Sequence, residues 1–393
     1  MTDNSKYFEK YVLNNKVEVP GRLVIPPISL YASNPDGTLS DSERKYLELR
    51  ATGVGLYILG ACAVSQEGII FIAQPRALTE KDIETNSERA KIIKSQGALA
   101  INQIHHGGSL AKKEFSGLSP VVPSAEIVNK ELEKKGQLTE ETKVKELSDA
   151  EIKKLINDFA KATEISIKAG YDGIEIHGAN NYLIQQFYSP YTNRRTDDWG
   201  GSDEKRMNFP LKIVDACCKV REKYNRPDFI IGYRLSPEEP FEPGITMTET
   251  IKLVKALVKK PIQFIHVSQK NFFQKTRRGE GTGIERLKVI HELTKGKVAL
   301  IGVGGLRSQK NFTDAINTGF CEFIAAGVAN MMNRDLGILL RENKGDKIEL
   351  ELDPEHPEKY KFSTRLWKFC LSDHALDFLP PIKGKPHKKP NEF

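Results

Sequence analysis

The chain is 393 residues long, 39% hydrophobic and 28% charged, with a formal net charge of +7. These values suit a soluble globular enzyme and exclude a disordered, weakly hydrophobic chain. No apolar run approaches the roughly 20 residues of a membrane helix, and the polar start Met1–Lys6 has no signal-peptide core. The five cysteines (Cys62, Cys217, Cys218, Cys321, Cys370) are scattered and odd in number, without a C-x-x-C pair. That pattern predicts reduced thiols in a cytoplasm and argues against a zinc ribbon or an iron–sulfur cluster. Part of the positive charge sits in 383–390, read as a solvated tail. No basic helix or aromatic-interleaved patch accompanies it, so neither nucleic acid nor a membrane is an expected partner.

Apolar, β-rich runs recur at 22–29, 55–64, 98–106, 170–177, 229–235, 263–268, 298–303 and 323–326. Several are continuously hydrophobic, as parallel strands covered on both faces are. Helical patterns lie between most of them, at 42–51, 149–169, 203–224, 248–259, 284–294, 309–318 and 336–341. In the clearest, Ile152, Leu155, Ile156, Phe159 and Ala160 form one stripe, with Ser148 and Glu151 as a capping box. Alternating strands and helices predict an α/β fold, a (β/α)8 barrel over 1–343. An open doubly wound sheet is the alternative, but no G-x-G-x-x-G follows the first strand. Two segments break the rhythm: 107–147 is expected to be a lid over the barrel mouth, and 344–393 a wrapping C-terminal extension. About the last 15 residues of that extension are expected to be disordered.

Barrel chemistry collects at strand C-termini. Here those ends carry Ser29, Ala61, Gln103, His105 and His106, His177 with Asn180 and Tyr182, Arg234, His266, Gly304-Gly305, and Ala326-Gly327. The glycine-rich seventh and eighth ends precede helices, so their backbone N–H groups suit a phosphate. A phosphate cradle with a cation (Arg234) and polar side chains around it suits FMN. His105 reads as a barrel-wall residue, His266 equally as a barrel-layer residue or a ligand contact, Cys217-Cys218 as helix packing, and Cys62 as a small buried hydrophobe. An ion pair with Glu238 or Glu239 is the bland alternative for Arg234, and bonding to a buried backbone group the bland alternative for Ser29.

The stretch 177–206 reads HGANNYLIQQFYSPYTNRRTDDWGGSDEKR. It resembles the Old Yellow Enzyme family of FMN-dependent ene-reductases, whose pattern is His-x-x-(Asn/His)-x-Tyr-Leu, SP, N-x-R-x-D and GGS-x-x-x-R. Arg22-Leu23-Val24 with Pro26-Pro27-Ile28-Ser29, Gln103 with His106, and Arg234 extend the resemblance over about 17–342.

The resemblance implies a cofactor, FMN, and a reductant, NADH or NADPH. It places Pro27, Ile28, Ser29 and Ala61 against the flavin and Gln103 on its pyrimidine edge. Arg234 would stabilise the anionic reduced flavin, and the amides of Gly304, Gly305, Ala326 and Gly327 would hold the phosphate. His177 and Asn180 would donate hydrogen bonds to the substrate oxygen. Tyr182 would protonate the α-carbon of an electron-poor, enone-like alkene that takes hydride at its β-carbon. One site would serve nicotinamide and alkene in turn, which implies ping-pong kinetics. No metal is implied.

The chain departs from the family pattern twice. Val328 stands where relatives often carry a phosphate-binding arginine, with Arg307 the nearby substitute, and Ser109 replaces the arginine after the strand-three histidine. Two other classes remain open: a flavin-free lyase or aldolase acting on a phosphorylated substrate, and a non-catalytic flavin binder. The first needs a Schiff-base lysine or metal carboxylates at strand ends, which the sequence does not offer. The second has no use for a positioned proton donor. The physiological substrate, the nicotinamide preference and the oligomeric state, a homo-oligomer included, are not written in the sequence.

Overall fold

Eight parallel strands follow one another around a closed barrel in chain order. They are β1 (Leu23–Ile25), β2 (Leu56–Ala63), β3 (Leu99–His105), β4 (Gly173–Gly178), β5 (Ile230–Leu235), β6 (Phe264–Val267), β7 (Ala299–Val303) and β8 (Phe323–Ala325). The structure, a computed structural model, describes residues 5–372 and 379–385. The (β/α)8 expectation is met, and nearly every strand residue is buried, as strands covered on both faces must be.

The helices after successive strands are α1 (Asp41–Leu47), α2 (Asp82–Lys94), α3 (Asp149–Lys168), α4 (Asn208–Lys223), α5 (Met247–Leu257), α6 (Arg286–Thr294), α7 (Gln309–Asn317) and α8 (Leu336–Arg341). Ser148 and Glu151 do form the capping box of α3, which buries Ile152, Leu155 and Phe159. The pattern at 203–224 is two helices, Asp203–Arg206 and α4. Pro210 lies in the first turn of α4, where its missing N–H costs no hydrogen bond. The expected 42–51 helix stops at Leu47, because Leu49 takes a left-handed φ of 68°.

Sequence reading missed α2. Its buried face carries Thr85, Asn86 and Arg89 beside Ala90 and Ile93, so it shows no apolar stripe. Arg89 explains that face. It is 1% exposed and bonds Glu43 of α1 through Nε–Oε1 (2.8 Å) and Nη2–Oε2 (2.9 Å).

The barrel interior is filled in its lower half by Val24, Leu56, Ile58, Ile101, Ile230, Phe264, Ala299, Ile301 and Phe323. A hairpin of Tyr11–Val12 with Glu18–Val19 plugs this end, and its Leu13 and Val19 join the same cluster. Residues 11–19 thus close the bottom of the barrel, a role the sequence did not announce.

The 107–147 excursion packs on the loops after β2 and β4. Gly107 N–H donates to Gly68 O (2.9 Å), and the Arg195 guanidinium donates to Pro123 O (3.0 Å) and Leu147 O (2.8 Å). Its helix Ala125–Lys134 buries no residue. The C-terminal extension wraps back over the barrel: Arg50 Nη2 donates to Tyr360 O (2.6 Å), and Ser363 Oγ donates to Tyr31 O (3.1 Å). Of the end expected to be unordered, residues 379–385 are described, with Ile382 bridged to Leu352. Residues 386–393 lie outside the described residues.

Candidate active site

The β4–helix connection builds the reactive corner. After His177-Gly178, Asn180 and Asn181 both take left-handed φ (59° and 60°), a conformation asparagine tolerates. The chain reverses there, and Tyr182 becomes the N-cap of the helix Leu183–Tyr188. Its ring returns edge-on to His177, with centroids 4.9 Å apart.

His177 is 3% exposed, and its Nδ1 accepts from Ala179 N–H (3.3 Å), so the ring proton sits on Nε2. Burial first, then the neighbouring His105 and Arg234, pushes its pKa well below the usual histidine value. It is therefore a neutral N–H donor. Asn180 Oδ1 accepts from Ser268 Oγ (2.8 Å), which fixes the amide and leaves Nδ2 as a second free donor. The Tyr182 hydroxyl has no hydrogen-bond partner among the described residues. Burial pushes its pKa up to about 12, so it stays protonated at neutral pH.

Arg234, at the end of β5, pairs in register with His177 and with His266. Its Nη2 donates to Ser268 Oγ (3.2 Å), and its buried Nε has no partner. The alternative ion pair is not made. Glu238 accepts from Arg286 Nε and from the Arg278 backbone, while Glu239 accepts from Gln185 (2.7 Å) and Ser189 (2.6 Å). Arg234 thus forms no ion pair among the described residues, though Glu175 opposes its positive charge from deeper in the barrel.

Gln103, on β3, donates through Nε2 to Glu175 Oε1 of β4 (2.6 Å), and Glu175 Oε2 meets His266 Nδ1 (2.8 Å). His266 is thus tied into the barrel layer through Nδ1, while its buried Nε2 has no partner among the described residues. His105 departs from expectation. Two residues beyond Gln103, it shares the inward face, and its ring stands 4.3 Å from Tyr182 and 5.3 Å from His177. Both of its nitrogens are orphaned, and burial holds its pKa near 3. His106 points the other way. Its Nδ1 accepts from Gly108 N–H (3.0 Å), and a side chain at Gly68 would strike its ring.

The β1–β2–β3 edge is tightly built. A Cβ at Gly60 would come within 2.4 Å of Pro27 and 2.7 Å of Gln103 Oε1, so Pro27, Gly60 and Gln103 stand side by side. Ile28 and Pro26 lie against Gly327, Ala61 is buried, and Ser29 has no hydrogen-bond partner among the described residues, so it does not satisfy a buried backbone group there. Gly304 (φ 133°) and Gly305 (φ 66°) need the freedom of glycine, and Gly304 packs directly on the backbone of Asn271 and Phe272. Among the described residues, the N–H groups of Gly304, Gly305 and Gly327 have no partner; that of Ala326 donates to Val24 O (2.9 Å), which removes it from the expected phosphate set. The half-buried Arg307 guanidinium has no partner either, and burial lowers its pKa.

These residues fit FMN. Buried polar atoms left unsatisfied are costly, yet Arg234 Nε, His266 Nε2 and both nitrogens of His105 are orphaned around one mouth. The free glycine amides and Arg307 complete a polar shell suited to an anionic cofactor. Tyr31, near enough to Tyr182 to influence its ionisation, is a residue of the mouth that sequence reading missed; its ring packs on Phe71 (4.6 Å) and Phe369 (5.4 Å). The second half of the motif is structural. Asn193 Nδ2 ties Phe187 O (2.6 Å) to Trp199 O (2.7 Å), and Asp197 pairs with Arg195 (2.5 Å). Ser109, expected to replace a family arginine, accepts from Gln186 Nε2 (2.9 Å). A cavity of about 520 Å³ lies outside this mouth, between Lys130 and Arg194. Two of its cations are paired within the lining, Lys130 with Glu126 and Arg195 with Asp197.

The chain is 38% identical over 372 residues to a probable NADH-dependent flavin oxidoreductase of Bacillus subtilis (strain 168), covering 94% of this chain and 97% of that protein. It is 32% identical to an NADH:fumarate oxidoreductase of Klebsiella pneumoniae (strain 342), over 96% of this chain but 40% of that protein. The fold superposes on an old yellow enzyme homologue from Zymomonas mobilis with a TM-score of 0.74 at 22% identity, covering 91% of this chain and 99% of that one. Morphinone reductase matches with a TM-score of 0.72 at 22% identity, over 91% and 94% of the two chains. The sequence profile of the NADH:flavin oxidoreductase / NADH oxidase family matches residues 8–346, and the chain belongs to that family of FMN-dependent oxidoreductases.

Proposed function

We propose that this enzyme reduces the C=C bond of a small electron-poor alkene at the expense of NADH or NADPH. The observation that carries the reading is the unpartnered Tyr182 hydroxyl, held protonated beside two oriented donors, His177 Nε2 and Asn180 Nδ2. When bound, FMN supplies hydride-level redox chemistry that couples nicotinamide oxidation to alkene reduction.

The chain's own groups do the rest. His177 and Asn180 donate to the carbonyl or nitro oxygen of the acceptor, drawing electron density from its β-carbon and stabilising the negative charge that grows on the oxygen. Tyr182 gives its proton to the α-carbon and is recharged from solvent. Arg234 supplies positive charge, Gln103 a fixed amide, and Ser29 a free hydroxyl. The amides of Gly304, Gly305 and Gly327 hold the phosphate, with Arg307 as its cation in place of the arginine absent at Val328. A relative named for fumarate and another named for acrylate support an alkene conjugated to a carbonyl group. This chain spans only 40% and 31% of those two proteins, so their substrates are not transferred to it. Five buried free cysteines fit a reducing compartment such as the cytoplasm.

The test is anaerobic. The protein is loaded with FMN, bleached with NADH or NADPH, and then mixed with 2-cyclohexenone. Recovery of the oxidised flavin spectrum with formation of cyclohexanone is expected. Bleaching without recovery on any enone, nitroalkene or unsaturated acid would overturn the alkene reading.

A further inference from the structure

Among the apolar layers of the barrel interior stands one carboxylate, Glu175, at 0% exposure. Register places it beside Gly232, two residues deeper than the His177–Arg234 pair. A buried charge is retained only where partners offset its desolvation. Glu175 has two: Gln103 Nε2 at 2.6 Å and His266 Nδ1 at 2.8 Å.

We infer that Glu175 is a positioning residue for the cofactor site, holding the Gln103 amide with its carbonyl toward the mouth and setting the net charge beneath Arg234. The inference rests on the FMN reading above.

An ionised carboxylate only accepts hydrogen bonds. Gln103 must therefore turn its NH2 toward Glu175, which leaves Oε1 over Gly60, 2.7 Å from where a Cβ would stand, as an acceptor with no partner among the described residues. By the same rule His266 carries its proton on Nδ1. Burial keeps that imidazole neutral, so its orphaned Nε2 is a second bare acceptor. One buried carboxylate thus fixes the donor and acceptor pattern of two side chains on two different strands. An amide free to swivel would present either end to a flavin ring whose pyrimidine edge carries both an N–H and carbonyls. The charge matters as well. Glu175 acts electrostatically on Arg234 and opposes its positive charge, so removing the carboxylate leaves the guanidinium uncompensated.

Wild type, Glu175→Gln and Glu175→Asp are to be titrated with FMN by fluorescence quenching, and the midpoint potential of the bound flavin measured in each. Glu175→Gln keeps the volume and removes the charge. The reduced-to-oxidised ratio at a fixed potential is expected to rise about tenfold, a positive shift of about 30 mV for a two-electron couple. Glu175→Asp keeps the charge but shortens the reach. Its potential is expected to stay near wild type while FMN binding weakens about tenfold, the loss of one oriented hydrogen bond. A folded Glu175→Gln protein with wild-type potential and wild-type FMN affinity would overturn the inference. Wild type alone also tests it: a fixed Gln103 carbonyl should make N3-methyl-FMN bind about tenfold more weakly than FMN, and equal binding would overturn it without any substitution. Wild-type protein that binds no FMN would instead overturn the parent reading, and this one with it.

Discussion

His105 sets its ring edge-on to Tyr182, with centroids 4.3 Å apart and ring planes at 86°. The imidazole is fully buried, and neither nitrogen has a hydrogen-bond partner among the described residues. Its contact with the tyrosine is therefore one of packing, and it holds the phenol against the His177 ring. Replacing His105 with Leu is expected to slow proton delivery about tenfold through misplacement of the phenol. Stopped-flow reoxidation of the reduced enzyme by an enone measures it, and an unchanged rate would show that Tyr182 is held by other contacts.

The buried histidines make stability depend on pH. Burial lowers the pKa of His105 and His106 to about 3 and also depresses those of His177 and His266. An unfolded histidine titrates near 6.5. Between those values the unfolded chain binds protons that the native state refuses, so stability rises with pH through this window and is fully present above it. At pH 5, His105 and His106 should each cost about 2 kcal/mol relative to pH 8. Thermal melts at pH 8, 6.5 and 5 are expected to show most of the loss below 6.5. A flat profile across that range would mean the rings are hydrated.

Glu43 and Arg89 are each 1% exposed and pair through two hydrogen bonds between α1 and α2. Removing one partner strands the other. Glu43→Ala should destabilise the fold by about 3–5 kcal/mol, whereas Glu43→Leu combined with Arg89→Met should cost much less. Urea unfolding of the single and double variants compares the two directly.

Phosphate affinity is expected to follow the cation at the seventh and eighth strand ends. Arg307→Ala should weaken FMN binding about tenfold or more through loss of a charged hydrogen bond, and Val328→Arg should recover part of that loss. Equal FMN affinity in Arg307→Ala and wild type would assign the phosphate to backbone amides alone.

The barrel was legible because its strands are continuous apolar runs, and the reactive corner was legible because His177, Asn180 and Tyr182 follow such a run directly. The residues that were missed had no composition signal. Helix α2 hides behind Arg89, whose polar face is buried only because Glu43 meets it across the fold. Tyr31 sits two residues beyond Ser29, but its contact partner Phe369 comes from the C-terminal extension, far away in sequence. His105 was misassigned for a reason open to correction. Gln103 was placed inward, and strand alternation obliges His105 to follow it. The paired glutamate was legible only as one polar letter in Ile174-Glu175-Ile176, since its partners lie on two other strands.

The most direct test of the account is the pair of half-reactions in Tyr182→Phe, followed anaerobically by flavin absorbance. The account predicts FMN binding and reduction by NADH or NADPH close to wild type, with reoxidation by 2-cyclohexenone slowed by about 100-fold or more for want of the proton. Reoxidation at the wild-type rate, with cyclohexanone still formed, would contradict it and remove Tyr182 from the chemistry.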